Sequence, residues 1–266
     1  MARAASKPLA PAFVLHSHDW SESSLILDLF TRDHGRVVAV AKGAKRPYSQ
    51  LRPVLMPFQR LHVTFGVRRS DETEVWLLRQ AEWAGGPAWP GGAALLPGFY
   101  LNELLMRLLA RHDAHPGLFD AYAQTLPALA DPALLQAALR AFEMILLRQL
   151  GHLPDLSTLT MGGESVLPGG LYDIHAEWGV SPSRGVAEPG SAVSSLDGAV
   201  LAQLEAALSA PGEGGRARLS PALAPLMAAC MPALVELKSV LRTLLHYHLG
   251  SHTLRTRQLM MELQQA

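Results

Sequence analysis

The stretch Ser24-Leu25-Ile26-Leu27-Asp28-Leu29-Phe30-Thr31-Arg32-Asp33-His34-Gly35-Arg36-Val37-Val38-Ala39-Val40-Ala41-Lys42-Gly43-Ala44-Lys45-Arg46 decides the architecture of the first third of the chain. Leu25, Leu27 and Leu29 fall on one face of an extended segment and Asp28 on the other, the period-two alternation of a half-buried strand. Asp33-His34-Gly35 has the composition of a tight turn, and Arg36 to Ala41 is a second short apolar run. Ala12 to Ser17 lies upstream, Arg60 to Phe65 and Glu74 to Ala81 downstream, each rich in Val, Leu, Ile or Phe and bounded by turn or charged residues.

Five short strands before residue 84 predict a small closed barrel. Among such barrels the OB-fold is the commonest binder of single strands. The second predicted strand of the pair runs directly into a glycine-flanked cluster of cations. From Arg32 to Arg69 there are nine Lys or Arg (Arg32, Arg36, Lys42, Lys45, Arg46, Arg52, Arg60, Arg68, Arg69) and one acid, Asp33, a local balance of +8 in a chain that is formally neutral. Cut at Trp83, the chain carries 12 basic and 8 acidic residues before the cut and 11 and 15 after it. The amino-terminal part is therefore the one suited to polyanions. Arg36, Lys42, Lys45, Arg46 and Arg52 are the candidate phosphate contacts, with Gly43 allowing close approach and Tyr48 and Phe58 offering faces for base stacking. A solvated loop is the plain alternative for a charge run.

After a Gly-, Pro- and Trp-rich link (Gly85 to Gly92) the period changes from two to 3.6. Leu95, Phe99, Asn102, Leu105, Met106 and Leu109 repeat at helical spacing, a second helix starts near Pro116 and runs to Leu129, and Asp131-Pro132 supplies an N-cap and first-turn proline for a third reaching Leu150. Gly151 to Gly190 reads as loop, and helical patterning returns over Ser195 to Ala207, Pro221 to Leu249 and Thr253 to Leu263. The fold class is α+β and multidomain: an OB-fold barrel over 1–84, the first part of a helical bundle over 92–152, a loop-rich segment over 153–194, and carboxy-terminal helices over 195–266 packing on the bundle.

The single cysteine, Cys230, excludes an intrachain disulfide framework and a cysteine zinc site, and a reducing, cytoplasmic setting follows. Met1 to Pro11 reads as a loose tail without a signal peptide's apolar core. The apolar run Leu223 to Leu237 is interrupted by Pro225, Pro232 and Glu236, so no membrane segment is predicted. Nucleophile elbows, phosphate loops, dinucleotide fingerprints and His-Glu-x-x-His are absent, so the chain is read as a non-enzyme without cofactor or metal. Of His246, His248 and His252, the first two point apart on a helix while His248 and His252 share a face. A metal-dependent hydrolase using these histidines with Asp28 or Asp173 is one rival reading; a scaffold that binds only protein is another. Arg107, Arg111, Arg140 and Arg148 stand among leucines in the helical part, a combination suited to an acidic, apolar peptide end as well as to ordinary packing.

Several pieces resemble the RecO family of recombination mediators: Ala12 to Ser17, Trp20-Ser21-Glu22-Ser23-Ser24-Leu25, Leu29 to Arg36, Val40-Ala41-Lys42-Gly43-Ala44-Lys45, Pro57-Phe58-Gln59, Gly98 to Leu105 and Leu139-Arg140-Ala141-Phe142-Glu143. Their order and spacing hold over residues 12–152, with an echo at Leu249-Gly250 and Leu254 to Leu259. The resemblance implies an OB-fold, a helical bundle and a carboxy-terminal part that in many members holds zinc through four cysteines. This chain departs there, with Thr158 to Met161 where the first Cys pair is expected. It further implies a cytoplasmic, nucleoid-associated bacterial mediator that binds and anneals single-stranded DNA. Its implied partners are the acidic carboxy-terminal tail of single-stranded DNA-binding protein and RecR, with RecA loaded in gap repair. Arg36, Lys42 and Lys45 match family basic positions on the barrel. Arg140 matches the arginine beside the tail-binding pocket, with Leu139 and Phe142 as its lining.

Overall fold

The computed structural model describes residues 9–66, 75–86, 91–183, 195–210, 223–250 and 254–265. Five strands, β1 (Ala10–Asp19), β2 (Leu25–Thr31), β3 (Gly35–Ala41), β4 (Arg60–Phe65) and β5 (Val75–Trp83), close into a barrel in the order β1-β2-β3-β5-β4. β3 and β5 run parallel and the other pairs antiparallel, the connectivity of an OB-fold. Ala12, Val14, Leu27, Leu29, Val37, Ala39, Leu61 and Val63 fill the interior, as the alternation in β2 requires. The outer face is covered as well. Phe13 and Phe30, paired in register, both lie against Phe119 at ring separations of 5.1 and 5.5 Å, which is why β2 is buried on both sides.

The turn between β2 and β3 forms as composed. Thr31 Oγ1 donates to the Gly35 carbonyl at 2.9 Å and accepts from the His34 amide at 3.1 Å. Gly35 has φ +64°, and a Cβ there would meet the Asp113 carbonyl oxygen at 1.8 Å, so this position tolerates only glycine.

Helices α1 (Leu95–Leu108), α2 (Pro116–Ala128) and α3 (Leu135–Gln149) follow. The chain divides into two compact units, Met1–Phe119 and Asp120–Ala266, and the division falls inside α2. Helix α1 thus groups with the barrel. Its Asn102 side-chain amide donates to the Leu15 carbonyl at 2.9 Å, a buried bond that replaces one lost at the bulge after Val14. α3 begins three residues later than the Asp131-Pro132 signal predicts, because the Asp131 carboxylate accepts from the Ala133 amide and caps a separate turn ahead of the helix.

The second unit holds α3, α4 (Gly198–Ser209), α5 (Leu223–Cys230), α6 (Leu234–Leu249) and α7 (Arg255–Gln265), with α3 packed on α5 and α6. Residues 223–249 are long and apolar enough in composition to cross a bilayer. The helical course is broken there by the 3-10 turn Met231–Ala233, and one face of the segment, with Leu226, Cys230, Leu237, Leu241 and Leu244, is buried within the unit. The segment read as loop contains two strands, β6 (Leu171–His175) and β7 (Gly179–Pro182), and the first residues of the stretch read as helical form a third, β8 (Leu196–Asp197), so that α4 starts only at Gly198; the three make an antiparallel sheet in the order β7-β6-β8. Its strands are five, four and two residues long and include Asp173, His175 and Pro182, too short and polar for the periodicity to register.

Candidate nucleic-acid interface

Between β3 and β4 the chain makes a succession of tight turns. Backbone amides of Arg46, Ser49 and Arg52 donate to the carbonyls of Gly43, Arg46 and Ser49 at 3.1, 3.0 and 3.4 Å. Ala44 and Leu55 are buried in the barrel core, and Leu51 and Val54 pack on its edge. With its apolar residues anchored inward, the segment turns Lys42, Arg46, Tyr48 and Arg52 out to solvent. Gly43, φ +72°, permits the reversal, and the Arg46 side chain passes 3.5 Å from where a Gly43 Cβ would stand.

The five candidate cations are not equivalent. Among the described residues, Lys42, Arg46 and Arg52 have no acidic partner. Lys45 Nζ lies 2.9 Å from Asp19 Oδ2 and donates to the Ser21 carbonyl at 3.3 Å, while its backbone amide donates to the Ser23 carbonyl at 3.0 Å. Lys45 thereby ties the β1–β2 loop to the cationic segment. Arg36 is set apart from the other four. Its Nε and one terminal nitrogen lie 3.0 and 2.9 Å from Asp28 Oδ1, its other terminal nitrogen donates to the Met106 carbonyl near the end of α1, and its side chain is 16% exposed. That guanidinium satisfies a helix-end carbonyl and a buried carboxylate at once. Arg68 and Arg69 lie outside the described residues.

Of the two rings proposed for stacking, Tyr48 is exposed, whereas Phe58 is a correction. Phe58 is buried at φ +67°, its ring 5.0 Å from Phe99 and pressed under Gly98, so it is core. Sequence reading passed over Trp20, an exposed indole in the β1–β2 loop that Lys45 holds. Its signal was a lone aromatic among Asp19, Ser21 and Glu22 between two strands.

In the second unit, Arg140, Leu139 and Phe142 all lie on α3 and none is open to solvent. Arg140 donates to Glu143 Oε1 at 2.6 Å with its side chain 8% exposed, and Phe142 is fully buried with its ring 6.0 Å from Tyr122. Cys230 stands in the field of both charged residues, and burial pushes its thiol up to about 12. The other bundle arginines are occupied in other ways. Arg107 pairs with Glu103 at 2.9 Å within α1, and Arg148 grips Glu205 of α4 with two bonds of 2.9 and 2.6 Å. The backbone of Arg111 lies beside that of Arg36 in an isolated β-bridge, where the His112 amide donates to the Arg36 carbonyl at 2.9 Å.

Among the described residues no three His, Cys, Asp or Glu side chains converge at metal-binding separation. His246 is exposed, His248 stacks on His152 at 3.9 Å, and His252 lies outside the described residues. Asp28 is held by Arg36, and Asp173 accepts from Ser195 Oγ at 2.6 Å.

Two family models match most of the chain: Recombination protein O N terminal over residues 8–86, and Recombination protein O C terminal over residues 92–258. Among curated proteins, a DNA repair protein RecO of Polaromonas naphthalenivorans is 50% identical over 256 residues, 96% of each chain. That of Albidiferax ferrireducens is 46% identical over 258 residues, 96% of this chain and 95% of its own. That of Verminephrobacter eiseniae is 45% identical over 266 residues, 98% of this chain and 99% of its own.

Proposed function

Because the chain belongs to the recombination protein O family of DNA repair proteins, we propose that its barrel binds single-stranded DNA through Lys42, Arg46 and Arg52. The observation that carries this is the state of those cations: three exposed charges on one anchored segment with no acid to neutralise them among the described residues. Phosphates supply the missing counter-charge, and the counterions they release make binding favourable at low salt. Lys45 adds a charge shared with Asp19, and Arg36 acts beneath the surface by holding α1 to the barrel.

Annealing follows from the same chemistry. Cations between two strands screen the repulsion of their phosphates, so complementary segments approach while their bases stay free to pair. The second unit would recruit the protein to coated DNA by taking the acidic carboxy-terminal tail of single-stranded DNA-binding protein. Arg140 is the proposed carboxylate contact, Leu139 its apolar neighbour and Phe142 the support beneath them. Arg140 would keep its bond to the buried Glu143 and offer its remaining N–H groups to the incoming carboxylate. With RecR as a further partner, the assembly loads RecA in gap repair, in the cytoplasm at the nucleoid. The chemistry is binding and positioning, with no covalent step.

The experiment is a titration of full-length protein with a fluorescent single-stranded oligonucleotide at two salt concentrations. Submicromolar binding at low salt that weakens at high salt supports the reading; no binding at low salt removes it and leaves the protein-only scaffold.

A further inference from the structure

The β1–β2 loop and the cationic segment leave the barrel at the same end. Leu25 pairs with Asp19 on one side and with Ala41 on the other, so Trp20 and Lys42 are the first residues beyond two strands that flank β2. At one strand spacing per step they emerge about 10 Å apart. The loop carrying Trp20 is fixed rather than free. The Trp20 amide donates to the Ser24 carbonyl at 3.1 Å, the Gly43 amide donates to Ser24 Oγ at 3.5 Å, and Lys45 bonds the residues on both sides of the indole, Asp19 and Ser21.

On this stapled pair of loops stand two aromatic rings that the fold does not use. Trp20 is 64% exposed and Tyr48 is 95% exposed, and neither has a ring contact within the described residues. A lone exposed aromatic residue is ordinary on a protein surface; what singles these two out is that they stand on the linked loops that also carry Lys42 and Arg46, two exposed cations with no acidic partner among the described residues. The partner's chemistry is set by the neighbours. Lys42 and Arg46 attract a polyanion, Glu22 and Asp19 keep the loop polar, and the rings require a flat apolar face a few ångströms from each phosphate. An unpaired nucleobase meets all of these conditions. Bases inside a duplex have their faces covered, so the same rings gain nothing from double-stranded DNA.

We propose that Trp20 and Tyr48 are base-stacking residues that make this end of the barrel selective for unstacked single strands over duplex. The inference rests on the reading of Lys42, Arg46 and Arg52 as phosphate contacts, and deepens it by dividing the site into a charge part and a base part.

The test compares a labelled oligothymidine with an oligomer of equal length and phosphate number in which every nucleotide is abasic, both titrated into full-length protein by fluorescence anisotropy. Wild type is expected to favour the base-containing strand at least about fivefold, since stacking on one ring alone is worth that much. The W20A/Y48A variant should lose this preference and keep the abasic affinity and its salt dependence, and W20F/Y48F should restore much of the preference. K42A/R46A/R52A should weaken both oligomers alike. Equal wild-type affinity for the two oligomers, or an undiminished preference in W20A/Y48A, overturns the stacking assignment while the phosphate reading stands. Failure of both oligomers to bind at low salt overturns both. Thermal melts of each variant guard against misfolding, and a W20A/Y48A protein that melts like wild type but retains its single-strand over duplex ratio also refutes the proposal.

Discussion

Separating Arg36 from Lys42, Arg46 and Arg52 is the sharpest test of how the barrel handles charge. On single strands each phosphate neutralised contributes a slope of about 0.7 in log affinity against log salt. Three free cations, each meeting one phosphate, therefore contribute about 2. Between 50 and 200 mM salt, roughly 0.6 of a decade, that share of the affinity falls by about 20-fold. K42A/R46A/R52A should lose it, giving a flatter plot as well as weaker binding. R36A should behave differently. It strands the Asp28 carboxylate, 11% exposed, and releases the Met106 carbonyl. Removing one partner of such a pair costs about 3 kcal/mol, so the melting temperature drops while the salt slope of the folded protein holds. Anisotropy titrations at three salt concentrations, with melts of the same samples, read both quantities. If R36A flattens the slope as much as the triple variant does while remaining folded, the division of the five cations is wrong.

Gly35→Ala should destabilise the barrel unit by more than the roughly 1–2 kcal/mol of left-handed backbone, because its Cβ meets the Asp113 carbonyl oxygen at 1.8 Å; urea unfolding reads this. Arg140→Glu should abolish binding of an acidic, apolar peptide end measured by calorimetry and leave oligonucleotide affinity unchanged; equal binding removes the tail assignment. Glu205 is pushed up by burial, but bonds from Arg148, the Leu156 amide and Ser209 outweigh that and hold it below the ordinary 4.5. A depressed native pKa means the unfolded chain takes the proton first, so this stability is complete above about pH 4.5 and is lost below it, and E205Q should flatten that acid limb of the stability profile. His248 is lowered from 6.5 by burial and then by the stacked His152, so its contribution is present above pH 6.5 and declines as pH falls; a histidine titration by NMR that gives an unshifted or raised value refutes the stack.

The barrel was legible because its strands announce themselves twice, by alternation and by turn chemistry. Leu25, Leu27 and Leu29 point inward as their spacing demands, and Asp33-His34-Gly35 turns where its glycine permits. The site was legible only in part. Sequence gives the number of cations in a stretch but not their partners. Arg36 falls opposite Phe30 and diagonal to Asp28 in the β2–β3 register, a pairing that no linear count contains. Phe58 and Trp20 were exchanged for a related reason: an aromatic residue's exposure depends on what the rest of the chain brings over it. Helix α1 covers Phe58 through Phe99, and nothing among the described residues covers Trp20. The same holds for Arg148, whose partner Glu205 is 57 residues away in sequence.

In the second unit Thr158 to Met161, where the family resemblance implies a metal-binding pair, join the small sheet through hydrogen bonds. Thr158 pairs with Ser165, and within that hairpin the Leu159 and Gly163 amides donate to the Glu164 and Leu159 carbonyls at 2.7 and 3.0 Å. Thr160 docks it on β7. Its amide donates to the Val180 carbonyl at 3.1 Å, and its Oγ1 accepts from the Val180 amide at 2.9 Å, with Gly179 leaving room for the hydroxyl. At the other end Ser183 and Ser195 share a 2.8 Å bond, and Ser195 donates to Asp173. Each such bond adds about 1 kcal/mol net, against the order of 10 kcal/mol that a structural zinc supplies. The six bonds named supply about 6 kcal/mol on that scale. The buried side chains of Leu156, Val166, Ile174, Val180 and Leu196 add packing within the unit. A sheet held that way does not stand alone: it persists because Asp197 caps α4 and accepts from the Gly169 amide in the same step, making the helix and the sheet one cooperative piece.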